Sequence, residues 1–590
     1  MDKNFFFKTP VKGKPIIKGK KPTGVIRRVM KPLQIKVKPE VIPIEENSVN
    51  MNNIIPLHIF QTWHKLDLPP KMNISVETLK KQNPEFTHHL YDDNMCRVFI
   101  SEHFDDDVLY TYDKLKPGLY KADLWKYCIL YKNGGIYLDI KYHCANNFKL
   151  INLTDKEYFV KDEFTNDVQF VNNSLLVCLP YNSILLKTIY NIVENVKNTI
   201  YTNVYDNNLI DSLTTTGSLM LSKQFNTKDI KNITLNFSEF YNYIKKNNLN
   251  ILQVYGDYFV EKNIYNKNKN KSYNLLYKKI DIYNFLYLNP INKINLSRKF
   301  DKKINGEEIE FLTSNPCIIK HPSENKYIMN IRWINYTLDK DGVSTLNYYK
   351  TISLNSLIEM DTSFNITNKE KFLNEICDYT DKQQYFGFED VRLFNYSDKI
   401  YYSASSYNNN NKTISITSNE CCINNDSYVL TKKFITPNFY KYSCVEKNWC
   451  FVNYKENMCV VYSWYPLTIC KIDYDNSTLD ILERKYINTD YFKNVKGSSC
   501  GFKYKDELWF VLHKSQTNNY QQFFAVFDLN MNLLRYSELF KLDNCRVEFC
   551  IGLIIEEDRT ILSFSSLDTN IFVGVYDNDY INSIKWYHDT

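Results

Sequence analysis

The sequence predicts a multidomain protein, an α/β unit followed by an all-β unit of propeller type. Three features carry that expectation. At 590 residues the chain is longer than one hydrophobic core serves, so two or more domains are expected. Residues 119–144, LYKADLWKYCILYKNGGIYLDIKYHC, read as a buried helix running straight into a buried strand. Beyond residue 300 the pattern changes to short runs rich in Val, Ile, Tyr, Phe and Trp, such as YIMNIRWINY, KIYYSASSY, LWFVLHKS and FFAVFDLN. Strands at that spacing without intervening helices indicate a sandwich, barrel or propeller, and the recurring strand–turn–strand unit favours the propeller.

In the first stretch, Asp123 opens a segment with apolar residues at Leu124, Cys128, Ile129, Leu130 and Tyr131, which suits a buried helix of about three turns. Asn133-Gly134-Gly135 stops it, because glycine tolerates a left-handed cap. Ile136 to Ile140 then reads as a short buried strand with Asp139 near its end. A helix starting on one acid and a strand finishing on another bring two carboxylates to one edge of an α/β sheet, where such sheets bind ligands.

Composition bounds the function classes. A mean hydropathy of -0.42 and a hydrophobic share of 44% fit a soluble protein, and no run approaches the roughly 20 apolar residues of a membrane span. The N-terminus has no apolar core for a secretory signal. Fifteen cysteines lie scattered without CxxC pairs or metal spacing, so reduced thiols and a cytoplasmic location are expected. The load of Asn, Lys, Ile and Tyr is that of proteins from AT-rich genomes, giant DNA viruses included; for a viral chain the location becomes host cytoplasm or virion. Residues 1–53 are rich in Lys, Pro and Gly and predict a disordered basic tail, with an electrostatic arm as the alternative. Net charge is only +6, so the remainder is near neutral, which argues against a nucleic-acid-binding body.

The helix–strand stretch resembles the core of glycosyltransferase family 32, the group that includes initiating mannosyltransferases. Ala122, Asp123, Tyr127, Gly134, Gly135, Tyr137 and Asp139 match its pattern. Lys126 stands where Arg is usual, and Lys141 stands where the second Asp of the Asp-x-Asp motif belongs. IIPLHIFQTWHK matches the family's opening strand through Gln61 and Trp63. NPEFTHHLYDD matches the second strand, on which His88 and His89 face opposite ways. Val171 to Asn198 matches the strand and helix after the acidic motif, where Asn172 or Asn173 takes the acceptor-side place, and Thr214 to Ser218 matches a Thr-Gly-Pro element.

The resemblance implies a GT-A type nucleotide-sugar domain over 54–265, followed by a linker and packing segment over 266–300. Its partners would be a UDP- or GDP-hexose donor and a glycan or glycoprotein acceptor. Asp123, Asp139 and Lys141 would be catalytic, and Gln61, Trp63, Lys126, Tyr137 and Asn172 would bind substrate. The family holds Mn or Mg through Asp-x-Asp, and three readings stay open for Asp139-Ile140-Lys141. Lys141 replaces the metal against the diphosphate, or His143 joins Asp139 as a ligand on the strand face shared with Lys141, or the domain is degenerate.

In the second half, Asn315-Pro316, Asn330-x-Arg332-x-x-Asn335-Tyr336, Gly387 to Phe394, Glu446 to Trp449, Gly497-Ser498, His513 and the closing SSLDT resemble glycoside hydrolase family 130. That resemblance implies a five-bladed propeller over 301–590. Asp390 would be the catalytic acid, and Arg332, Arg392 and His513 would hold phosphate or sugar hydroxyls. Structural ion pairing, or a binding pocket without chemistry, are the alternatives, and no second catalytic carboxylate stands out. The chain as a whole reads as a hexosyltransferase with a glycan-handling propeller. The alternative is a non-catalytic glycan-binding protein built from two degenerate folds.

Overall fold

The computed structural model describes residues 54–165, 168–200, 212–238, 243–269, 282–340, 342–368, 370–373, 385–424, 427–439, 445–516 and 519–588; the basic N-terminal stretch lies outside them. The first half is built on one nine-stranded sheet. β1 (His58–Thr62) leads through α1 (Pro70–Gln82) to β2 (Thr87–Tyr91), then α2 (Asp93–His103), α3 (Asp106–Lys114) and α4 (Gly118–Asn133). β3 (Gly135–Leu138) follows at once, then β4 (Tyr142–Cys144), β5 (Tyr158–Thr165), β6 (Val168–Cys178) and α5 (Ser183–Lys197). The short α6 (Ser218–Ser222) and α7 (Thr227–Lys231) precede β7 (Leu235–Ser238), β8 (Tyr243–Lys246), β9 (Leu249–Val254) and α8 (Tyr258–Lys269). β1 pairs in parallel with β2 and β3, and β6 lies antiparallel on the other side of β3.

Alternation along the strands sorts the core into two layers. Phe60, Tyr137, Leu176 and Cys178 point to the helices α2–α5, while Ile59, Ile136, Leu138, Leu175 and Val177 point to the opposite face, where Leu79 of α1 packs. α4 is buried from Asp123 to Lys132, so every polar group it carries must find its partner inside the protein. The helix starts at Gly118 behind Pro117, about a turn and a half before Asp123, so Asp123 lies within the helix and not at its cap. Gly134 ends it at φ +65, and Gly135 follows at φ +102. A Cβ on Gly135 would lie 2.8 Å from the His58 carbonyl oxygen, so the close pairing of β3 on β1 depends on that glycine.

From residue 286 the described residues are all-β apart from one 3-10 turn and the short helix Asn578–Ser583. Among the described residues five mainly antiparallel sheets succeed one another, beside a two-stranded ribbon of Tyr336–Leu338 and Ser344–Leu346, with principal strands at 307–360, 389–430, 450–485, 496–541 and 548–577. Each packs on the next, and Glu307–Lys320 of the first also packs on Glu548–Ile555 and Arg559–Ser566 of the fifth. Within the expected linker and packing segment over 266–300, residues 270–281 lie outside the described residues and the rest is ordered. α8 runs on to Lys269, Leu286–Tyr287 pairs with Phe540–Lys541 of the fourth sheet, and Asn292–Asn295 pairs with the last strand of the fifth.

Polar contacts join the halves: Tyr110 donates to Glu538 at 2.5 Å, Lys114 pairs with Glu538 at 3.3 Å, and Thr199 donates to Gln521 at 2.7 Å. Among the described residues, no helix is long and apolar enough to cross a membrane.

Candidate active site

α4 places Asp123 and Lys126 one turn apart, on the same side of the helix. The Asp123 carboxylate accepts from Lys126 Nζ at 2.9 Å, from Asn173 Nδ2 at 2.9 Å and from the Thr216 hydroxyl at 3.0 Å. Lys126 Nζ also donates to the Asn173 carbonyl, stands 4.5 Å above the Tyr137 ring, and reaches the Asp139 carboxylate at 3.9 Å. One ammonium therefore links the two acids at the C-terminal edge of parallel strands β1 and β3. Asn173 adds a bond to the Tyr127 hydroxyl, closing a network fully satisfied from within.

β3 ends at Leu138, two residues sooner than the pattern predicts, and Asp139 to Tyr142 is a tight turn in which Tyr142 N–H donates to the Asp139 carbonyl. The turn brings the Lys141 ammonium to 3.1 Å from the Asp139 carboxylate, whose other oxygen accepts from the Tyr137 hydroxyl at 2.9 Å. Burial works to raise Asp139, but the ammonium groups of Lys141 and Lys126 outweigh it and hold the carboxyl below its usual range. Burial in turn works against the Lys141 ammonium, and Tyr142 and Asp139 more than restore it, so Lys141 is firmly charged. Unlike the helix network, this end stays open: the Asp139 side chain keeps 28% exposure and Lys141 21%.

Several expected positions move. Asn172 points away from the site, donating to Asp162 and accepting from Ser174; alternation on β6 gives the inward place to its neighbour Asn173. The turn separates His143 from Lys141, and His143 instead contacts Ser75 and Gln253 with its two ring nitrogens, at 3.5 Å and 2.9 Å. Gln61 is wholly buried, bonded to His88 and to the Asp139 carbonyl, and so supports the turn from below. Tyr137 and Lys126 are likewise sealed beneath the carboxylates. Trp63 packs at the rim, against the cluster of Met72, Val76, Ile140, Tyr255 and Tyr258.

The donor set does not suit a divalent ion. Asp139 already engages Tyr137 and Lys141, and a cation occupies the place of the motif's second acid. No group of three or more His, Cys, Asp or Glu able to hold a metal occurs among the described residues.

A second polar cluster lies where the five sheets meet. Arg332 donates to Asp390 at 3.1 Å and Glu389 at 3.2 Å, Lys447 pairs with Glu389 at 2.9 Å, and Asn315 donates to Asp390 at 2.7 Å. The Tyr336 hydroxyl donates to Asp568 at 3.1 Å. Asn315, Asp390, Asn448 and Asp568 all adopt positive φ, at 29°, 54°, 64° and 56°. Asn and Asp tolerate left-handed backbone, and at Asp568 it belongs to the hairpin turn between Arg559–Ser566 and Asn570–Asp577.

The two aspartates diverge. Burial alone would lift Asp390, but Arg332, Arg392 and Lys447 hold it low, so the residue expected to be the acid is ionised. Asp568 is raised by burial, with Arg332 opposing and Asp390 adding, so the two carboxyls are shifted in opposite directions. The place of Asp568 in SSLDT is the one sequence signal for it. Arg392 is committed to the carbonyls of Ser498 and Asp390 and to the Asn448 side chain. His513, bonded to Ser498 and stacked on Tyr520, is pushed down to about 3 by burial and neighbouring cations.

Residues 69–160 match the glycosyltransferase sugar-binding region containing a DXD motif. Asp123, Lys126, Asp139 and Lys141 all lie within that range. An uncharacterized glycosyltransferase of Acanthamoeba polyphaga mimivirus is 33% identical over 118 residues, 19% of this chain and 47% of that protein. Inositol phosphoceramide mannosyltransferase 3 of Schizosaccharomyces pombe is 34% identical over 95 residues, 16% of this chain and 26% of that protein. The chain thus spans less than half the length of either relative. Among solved structures, the β-1,2-mannobiose phosphorylase of Listeria innocua aligns over 50% of this chain and 99% of that one, at 13% identity and a TM-score of 0.36.

Proposed function

We propose that the first half is a GT-A type glycosyltransferase that moves a hexose from a UDP- or GDP-sugar to a glycan or glycoprotein acceptor, with Lys141 taking the place of a metal. The observation that carries this reading is the convergence of Asp123 and Asp139 on Lys126, with Lys141 at the open end. In net terms the acceptor oxygen bonds the sugar's C1 as the C1–O bond to the diphosphate breaks. The electron pair leaves on the terminal phosphate and the acceptor's proton passes to water. An ammonium fixed by Asp139 meets that growing charge without reorganising, which favours departure. The names of the mannosyltransferase relatives make mannose donors the first to try.

In the same proposal the five sheets form a five-bladed propeller that handles glycan at its centre. The convergence of Asn315, Arg332, Glu389, Asp390 and Lys447 and the opposed shifts of Asp390 and Asp568 support a built pocket there. The test is a melting-shift and donor-hydrolysis panel over UDP- and GDP-hexoses with the full chain. A raised midpoint and released nucleoside diphosphate with at least one donor are expected. No shift and no release with any donor would favour a glycan-binding protein without transferase activity.

A further inference from the structure

Resting on that transferase reading, we infer that Lys262 is a second cation for the donor's diphosphate, presented beside Lys141 by a helix anchored for that placement. β9 returns past the acidic turn, and Tyr255 N–H donates to the Lys141 carbonyl at 3.1 Å. α8 begins three residues later. Its Glu261 carboxylate accepts from the backbone N–H groups of Lys71 and Met72 at 2.9 and 3.0 Å, capping α1, and from the Tyr255 hydroxyl at 2.9 Å. Those three bonds fix how α8 is turned about its axis.

Lys262 is the next residue, half-buried, and within electrostatic reach of both Lys141 and Asp139. Burial and the Lys141 charge together lower its pKa, with Asp139 opposing. Its ammonium lies 5.5 Å from the Tyr258 ring centre, and it has no hydrogen bond or ion pair among the described residues. Asp139 is already shared between Lys141 and Lys126.

At the open end Lys141 and Lys262 therefore stand against Asp139 alone, an excess of one positive charge, while the buried Lys126 and Asp123 pair beneath them. A half-buried ammonium next to another ammonium, with no carboxylate of its own, is unfavourable unless an anion joins them. A diphosphate has the charge and the span for two ammonium groups. Lys262 lies close to the expected end of the first domain at residue 265, and nothing in the local sequence marks it, so only the fold assigns it to the site.

The test is calorimetric binding of inorganic pyrophosphate, UDP and GDP to the full chain in EDTA. Wild type is expected to bind, Lys262→Ala to weaken all three ligands by about tenfold or more, and Lys262→Arg to restore most of the loss. Lys262→Met, which keeps the apolar stem, replaces the alanine variant if α8 loosens, and the exposed Lys80→Ala serves as the neutral control. Unchanged binding by Lys262→Ala and Lys262→Met would overturn the inference and leave the transferase reading standing. Binding that appears only on adding Mn2+ would also overturn it. If no ligand binds wild type under any condition, both fall.

Discussion

Removing the Lys126 ammonium is the perturbation whose consequence follows most directly from the contacts. The side chain is buried, and it bridges Asp123 at 2.9 Å and Asp139 at 3.9 Å. In Lys126→Met the apolar stem remains, while Asp123 keeps Asn173 and Thr216 but loses the one cation that it pairs with among the described residues. Breaking a buried ion pair from one side costs about 3–5 kcal/mol, because the partner stays charged without compensation. For a unit of roughly 200 residues, each kcal/mol lowers the melting midpoint by about 2–4 °C, so a fall of roughly 10 °C is expected. Lys126→Met with Asp123→Asn removes both charges and should recover about half of that loss. The assay is a double-mutant cycle by thermal unfolding, with a coupling of about 2 kcal/mol or more expected. A coupling under about 0.5 kcal/mol would refute the claim that these groups act as a pair.

Gly135→Ala forces a side chain into φ +102 and toward the His58 carbonyl, so a loss of about 1–3 kcal/mol and weaker nucleotide binding are expected by melting and calorimetry. At the junction of the halves, burial, reinforced by Lys197, pushes Lys514 down to about 7 from 10.5. The unfolded chain then holds a proton that the folded one lacks between about pH 7 and 10, so this group makes stability rise with pH across that window. Lys514→Met should accordingly melt higher than wild type at pH 6, with the gap closing toward pH 10. In the second cluster, Asp390→Asn weakens the Arg332 pair and should cost about 2–3 kcal/mol, whereas Asp568→Asn keeps an oxygen for the Tyr336 hydroxyl and should cost clearly less. Equal costs in the melting curves would remove the distinction between the two aspartates.

Much of the first half was legible because local pattern and tertiary placement agree there. The apolar run of α4, the glycine pair and the short strand read directly as helix, cap and strand, and Asp123 and Asp139 do meet. What the pattern misplaced is set by single-residue geometry. Nothing local distinguishes Asn172 from Asn173; the strand's alternation against its neighbours decides. Ile140 continues an apolar run, yet backbone pairing stops at Leu138 and a turn follows, which separates Lys141 from His143. Lys262 and Asp568 approach their sites from about 120 and 180 residues downstream of the nearest motif acids, contacts that only sheet topology creates. The strands at 286–287 and 292–295 are too short to announce themselves, because their partners, not their own sequence, make them strands.

The most direct test of the metal-free transfer site is release of nucleoside diphosphate from a sugar donor by the full chain, with EDTA and with Mn2+, in wild type and Lys141→Ala. The structure predicts release that persists in EDTA and is lost in Lys141→Ala. Release that EDTA abolishes in wild type, or that Lys141→Ala retains in EDTA, would contradict it.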